Sequence, residues 1–171
     1  MRLVLSIVIV SLLAACGTGG GDLGLLEDPA RKTATNSGEW DLVLTDVRVA
    51  AHEGFDRIVL EFTGTGIPGW AANYVDRAVL DGSGDVVALG GGAILDIYAS
   101  GTTWPGSDYY SGPRQFRPEN GGDVVDVYVG GTFEGSTQVL AGIDGAAVPF
   151  RVFALTDPSR LVVDIGDEST Y

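Results

Sequence analysis

The stretch PFRVFALTDPSRLVVDI, residues 149–165, decides the fold class of this chain. Two runs rich in valine, leucine and phenylalanine flank an Asp-Pro-Ser turn, where proline presets φ and aspartate can hydrogen-bond its own backbone. In the second run Leu161, Val163 and Ile165 share one face, and the residues between them point the other way. We therefore predict an antiparallel hairpin with one face in a hydrophobic core.

Similar short runs occupy most of the chain after residue 39, separated by glycine, aspartate, asparagine or proline. Their spacing, about eight to twelve residues, is typical of an all-β sandwich or barrel. No window shows the hydrophobic period of an amphipathic helix. The predicted strands are residues 40–51, 57–63, 70–75, 77–80, 86–89, 94–99, 124–129, 137–141, 150–155 and 161–165.

Two local features interrupt this regular pattern. In the run 40–51 the hydrophobic alternation changes parity at Thr45 and Asp46, which predicts a β-bulge. Residues 81–85, Asp-Gly-Ser-Gly-Asp, predict a hairpin turn. Their acidic spacing also resembles a calcium loop, but the distal bidentate glutamate of such loops is missing. We predict no metal site and no cofactor.

The N-terminal residues predict export and a lipid anchor. Arg2 precedes an apolar run too short to span a bilayer, and Leu-Ala-Ala-Cys ends this run at Cys16. The ending is similar to a bacterial lipobox, which implies cleavage of residues 1–15 and acylation of the Cys16 thiol, with palmitate as the expected chain. Cys16 is the only cysteine, so no disulfide is available. The alternative is a plain secretory signal or a short N-terminal anchor.

The segment after Cys16 differs in composition from the rest of the chain. Residues 16–38 are rich in glycine, serine, threonine and acidic residues, with no sustained hydrophobic period. This composition predicts a flexible tether between the lipidated cysteine and a folded domain over residues 39–171.

The formal net charge of −13 limits the class of partner. Nucleic-acid binding depends on clustered lysine and arginine, so nucleic acid is not a predicted partner. An acidic body also stands off anionic lipid headgroups, so we expect the acyl chains on Cys16 to hold the protein at the membrane.

A second diagnostic stretch is HEGFDRIVLEF, residues 52–62, a turn that leads into an alternating strand. Together with LTDPSRLVVDI, residues 155–165, it resembles the AMIN-like domain of bacterial lipoproteins, which is related to the AMIN domains of cell-wall amidases and pilus secretins. The resemblance covers residues 39–166. It implies a β-sandwich that acts as a non-catalytic envelope module at the extracytoplasmic face of the cell membrane, binding peptidoglycan or an envelope protein. Residues 80–133 are longer than the matching part of a minimal AMIN domain.

Signals for catalysis are weak. His52 is the only histidine, so the usual zinc sites and histidine-activated nucleophiles lack partners. We predict that the protein is not an enzyme. The alternatives are a wall hydrolase built on paired carboxylates and a sandwich whose pocket carries a lipid or small apolar ligand.

Residues 99–122 form a predicted loop that is long for a compact domain. Its aromatic and basic side chains are suited to stacking on sugar rings and binding carboxylates. The alternative, which we favour, is a flap whose aromatic side chains cover one open end of the sandwich. The candidate ligand-binding residues here are Trp104, Tyr109, Tyr110, Arg114 and Arg117.

Arg57 and Arg160 each begin a predicted strand. Glu61 and Asp164 follow them four residues later on the same face, which favours an ion-paired outer surface. The functional alternative is a local positive patch that holds an anionic wall fragment.

Overall fold

Ten β-strands and no helix make up the described part of the chain, residues 28–104 and 106–167 of a computed structural model. Within these ranges no helix is long and apolar enough to cross a lipid bilayer. The strands are β1 (Lys32–Ala34), β2 (Val43–His52), β3 (Phe55–Thr63), β4 (Gly69–Val75), β5 (Ala93–Ser100), β6 (Gln115–Phe116), β7 (Val124–Phe133), β8 (Ser136–Ile143), β9 (Phe150–Leu155) and β10 (Ser159–Gly166).

The strands form two antiparallel sheets that enclose one hydrophobic core. The smaller sheet has the order β2-β3-β10-β9, and the larger has the order β1-β4-β5-β8-β7-β6. The predicted β-sandwich is confirmed. Core residues that are completely buried come from both sheets and include Ile58, Leu60, Leu161, Val163, Leu95, Ile97 and Val139.

The predicted hairpin of residues 149–165 is confirmed as β9 and β10, joined by a turn at residues 156–158. Leu161, Val163 and Ile165 are all fully buried on the core face. The outward-pointing Val162 and Asp164 are buried as well. Side chains on neighbouring strands therefore cover part of the outer surface of the smaller sheet.

The predicted β-bulge lies where the alternation changes parity. The register of β2 against β3 shifts between Leu44 and Asp46. Because the bulge absorbs one extra residue, Leu44 and Val47 both point into the core, where they are buried.

Part of the segment predicted to be a tether instead belongs to the sandwich. Residues 32–34 form β1, which pairs with β4 through the register Thr33↔Ala71, and Ser37 bridges to Ile67. Backbone pairing with an existing edge strand orders this segment although its own composition does not. The predicted signal peptide of residues 1–15, Cys16 and the tether up to residue 27 lie outside the described residues.

The predicted strands at residues 77–80 and 86–89 are wrong. In place of a regular ladder they share an isolated bridge, Val79↔Val86, and the Val87 N–H donates to the Ala78 carbonyl at 2.9 Å. The turn predicted between them is present. Residues 76–92, which we call the flap, lie across the outer face of the larger sheet. Gln138 Oε1 and Asp126 Oδ2 each accept a backbone N–H of the flap at 2.9 Å. Side chains of the sheet thus satisfy part of its backbone, and the rest includes bonds within the flap and the Gly92 N–H, which donates to the Ile143 carbonyl of β8 at 2.8 Å.

The long predicted loop of residues 99–122 is partly regular. β5 extends to Ser100, and Gln115 and Phe116 pair with β7 as the short strand β6. The segment between β5 and β7, which we call the connection, runs along the outer edge of β2. Just before β2 begins, Leu42 forms a parallel bridge with Thr102 of the connection. A groove lies between the connection and β2.

Candidate functional site: a groove beside β2

A groove of about 480 Å³ lies between the outer edge of β2 and residues 110–120. Its volume is within the range of about 300–1,000 Å³ that is usual for ligand sites. β2 contributes one wall and the connection contributes the other. The main lining residues are Asp46, Val47, Val49, Tyr110, Pro113, Phe116, Arg117, Pro118 and Glu119.

Both ends of the β2 edge are covered by hydrogen bonds to the connection. The Leu44 carbonyl accepts the Tyr110 N–H at 2.8 Å, and the Ala51 N–H donates to the Asn120 carbonyl at 2.7 Å. The groove occupies the interval between these two contacts.

The backbone of Val47 and Val49 faces the groove. In the antiparallel ladder with β3, Ala51, Val49 and Val47 occupy the alternate positions whose N–H and C=O groups point away from β3. Within residues 28–104 and 106–167, none of these groups of Val47 and Val49 has a hydrogen-bond partner. The groove is therefore lined by an unpaired stretch of strand.

Tyr110 forms the base of the opposite wall. Its ring packs against the core, and its hydroxyl donates to the Pro113 carbonyl at 3.0 Å. A Cβ at Gly112 would lie 2.4 Å from the Tyr110 hydroxyl oxygen, so only glycine permits this close approach. Burial raises the pKa of Tyr110 above its ordinary value, and the Asp46 carboxylate acts in the same direction. The phenol is therefore neutral at physiological pH.

Charged side chains lie along the rim of the groove. The Asp46 carboxylate accepts from Arg48 at 2.5 Å, and Arg48 also binds Glu61 at 2.7 Å. Arg117 and Glu119 lie on the loop side. The lining residues carry two carboxylates, Asp46 and Glu119, against the single guanidinium of Arg117.

The structure brings together two of the five candidate residues predicted on the loop. Tyr110 and Arg117 both line the groove. Trp104 lies outside it, with 75% of its surface exposed.

Tyr109 and Arg114 are directed toward β7 instead. Tyr109 packs against the core, and Arg114 donates to the Gly130 carbonyl at 2.8 Å while its guanidinium lies 5.9 Å from the Tyr128 ring centroid. These contacts hold the connection against the larger sheet. That the aromatic side chains of this loop cover one open end of the sandwich stays a prediction.

Arg57 lies on the outer face of the smaller sheet, away from the groove. Its guanidinium makes two hydrogen bonds with Asp164, at 2.6 and 2.8 Å, and Arg151 binds the same carboxylate at 2.7 Å. The hydrogen bonds to Asp164 raise the pKa of Arg57. Ion pairing on this face is present, but it joins neighbouring strands, because cross-strand partners are closer than residues four apart along one strand.

Arg160 also lies on this outer face, but its guanidinium contacts the adjoining turn. It donates to the carbonyls of Pro158 at 3.2 Å and Thr156 at 3.5 Å. Arg57 and Arg160 therefore belong to a surface separate from the β2 groove.

Sequence reasoning missed the most distinctive part of the site, the backbone of Val47 and Val49. Their side chains were assigned correctly to a strand, but an unpaired edge depends on which strands assemble beside it. The bulge at Thr45 and the long connection were the two available signals, and both border the groove.

A comparison with known protein families matches the AMIN-like domain to residues 42–167, most of the chain. The chain belongs to the AMIN-like domain family. No curated protein and no solved structure matches it. Membership of the AMIN-like family indicates an envelope-associated binding module with an extracytoplasmic location.

Among the described residues, no group of three or more histidine, cysteine, aspartate or glutamate side chains is placed to hold a metal ion. His52 stacks on Phe55 with ring centroids 4.9 Å apart, at the hairpin between β2 and β3. The β2 groove offers backbone donors and acceptors, aromatic surface and a few charges.

Proposed function

We propose that this AMIN-like protein is a non-enzymatic module, anchored to the outer face of the cell membrane by acyl chains on Cys16, that binds another envelope component in the β2 groove. The observation that carries the binding role is the unpaired backbone of Val47 and Val49 inside a groove of about 480 Å³. Family membership supports the envelope setting. Peptidoglycan and an envelope protein are the two classes of component that the proposal covers.

The charge of the chain supports tethering by lipid rather than by electrostatics. At a formal net charge of −13, the body is repelled by anionic headgroups, so an acyl anchor on Cys16 would be needed to keep it at the membrane. The Leu-Ala-Ala-Cys sequence supplies a thiol at the position that acylation requires.

The anchor is tested by metabolic labelling with an alkyne analogue of palmitate in cells producing the native chain or Cys16→Ala. We expect label and membrane association for the native chain and neither for Cys16→Ala. Cys16→Ser serves as a second non-acylated variant. Equal labelling of the native and Cys16→Ala chains would contradict the proposal.

The binding role is tested by co-sedimentation of the full chain with purified sacculi and, in parallel, by crosslinking in intact cells. We expect Tyr110→Ala, which removes the base of one groove wall, to reduce the bound fraction in whichever assay is positive. Trp104→Ala, at an exposed position outside the groove, should leave it unchanged. Release of muropeptides from the sacculi would overturn the non-enzymatic assignment.

A further inference from the structure

The β2 groove presents the geometry of a site for strand addition. Val47 and Val49 are two residues apart on one strand, so their outward backbone groups repeat at about 6.6–6.8 Å. An extended peptide has the same repeat and binds an exposed strand edge by continuing the hydrogen-bonded ladder. The Leu44 and Ala51 contacts define the length of edge that a ligand can pair with.

We infer that the β2 groove binds an extended, basic segment of a partner protein, which adds to the smaller sheet as a fifth strand beside β2. This inference rests on the proposed function and names the class of envelope component. The backbone groups of Val47 and Val49 supply affinity, and the two walls of the groove supply the side-chain preference.

Charge complementarity determines the sign of the charge that the partner segment should carry. The chain carries a formal net charge of −13. The rim of the groove has one carboxylate in excess, because Asp46, Glu61 and Glu119 outnumber Arg48 and Arg117. A basic segment is attracted to this surface and an acidic one is repelled. A second copy of the chain is disfavoured for the same reason.

The two faces of an added strand meet different surroundings. Side chains on its inner face approach the Tyr110 and Phe116 rings, which pack against the core. Side chains on its outer face extend beside Asp46 at the rim. Because successive side chains of a strand alternate, the preferred segment alternates apolar and basic residues.

The backbone repeat also favours a protein segment over a peptidoglycan stem peptide. Stem peptides contain residues of D configuration and a γ-linked glutamyl unit, so their amides do not follow the regular repeat of an α-linked strand. The groups of Val47 and Val49 match an α-linked chain of L residues.

The test is selection of a phage-displayed library of random 12-residue peptides against the full chain. We expect enriched peptides with alternating apolar and basic residues whose binding weakens with added salt. The variant Val49→Pro removes the N–H that faces the groove without removing a bond to β3, and proline is tolerated at such edge positions. It should weaken binding about tenfold or more.

Two controls separate this effect from a general loss of structure. Val49→Thr keeps the N–H and a similar side-chain shape, and binding should stay within about twofold of the native chain. Val152→Pro makes the same change on β9, at a position that also points away from its paired strand, and should leave binding unchanged. Thermal unfolding reports whether each variant is folded.

A second measurement needs no variant. The amides of Val47 and Val49 should exchange with solvent faster than the amide of Arg48, which pairs with β3, and a selected peptide should slow them. Failure to enrich basic peptides, or equal binding by Val49→Pro and Val49→Thr, would overturn the inference. If sacculus binding depends on Tyr110 but no peptide is enriched, the proposed function stands and only strand addition is excluded.

Discussion

Asp164 joins three strands on the outer face of the smaller sheet. Its carboxylate is fully buried and holds both Arg57 and Arg151, whose guanidiniums lie 5.7 and 5.5 Å from the Phe153 ring centroid. The carboxylate thus links β3, β10 and β9 through one buried charge. Removing one partner of such a cluster is costly because the remaining charges stay partly desolvated.

Asp164→Asn should therefore lower the free energy of unfolding by about 3 kcal/mol, measured by urea denaturation. Asp46→Asn makes the same change at an exposed ion pair with Arg48 and should cost less than about 0.5 kcal/mol. Equal effects of the two substitutions would show that Asp164 does not organise this face.

Asp96 makes stability depend on pH. Burial raises the pKa of its carboxyl group, while a hydrogen bond from Gln138 partly opposes the shift. As pH rises from about 4 through the raised pKa, the unfolded chain loses this proton before the folded chain does, so stability decreases over this interval.

Replacing Asp96 by asparagine should remove that decrease. Urea unfolding between pH 3 and pH 8 should show the native chain losing stability relative to Asp96→Asn as pH rises through this interval, with a constant difference above it. A difference that does not change with pH would contradict the assignment.

At the scale of elements, Gln138 on β8 holds the flap of residues 76–92 on the larger sheet. Its side-chain carbonyl accepts the Asp81 N–H at 2.9 Å, and its amide donates to the Val79 carbonyl at 3.0 Å. Burial of Gln138 makes both contacts hard to replace with water.

Gln138→Leu should release the flap while the sandwich stays folded. Two backbone groups of the flap lose their partners, so we expect the free energy of unfolding to fall by about 2 kcal/mol. We also expect faster amide exchange at Asp81. Hydrogen exchange followed by mass spectrometry measures this change. Amides of β3 provide the internal reference, and acceleration of β3 to the same extent would indicate global rather than local opening.

At the scale of the whole molecule, the folded domain includes residues that precede the predicted boundary at residue 39. β1 pairs with β4, Ser37 exchanges two backbone hydrogen bonds with Ile67, and the Phe150 N–H donates to the Asp28 carbonyl. β1 thus covers the edge of β4 in the larger sheet, and the Asp28 contact joins the start of the domain to β9.

The free energy of unfolding, measured by chemical denaturation, should accordingly be about 3 kcal/mol higher for a chain that begins at Asp28 than for one that begins at Glu39. A chain that begins at Asn36 keeps the Ser37 contacts and should fall between them. Equal stability of the chains beginning at Asp28 and Glu39 would show that β1 contributes nothing.

The sequence alone was sufficient to predict the all-β class, the hairpin at Asp157-Pro158-Ser159 and the bulge at Thr45. Each of these depends on local preferences, namely side-chain alternation and turn chemistry, that act over a few residues. The same reasoning failed for residues 32–34, which are a strand only because β4 lies beside them. It also failed for the flap, whose partners are distant in sequence.

Only the tertiary structure decided where the candidate site lies. Tyr110 and Arg117 were identifiable as residue types, whereas their separation from Trp104, Tyr109 and Arg114 follows from the path of the connection. The unpaired groups of Val47 and Val49 have no signature in the chain, because every residue carries the same backbone. Whether that backbone is satisfied depends on strand order and loop placement, which are properties of the assembled sheets.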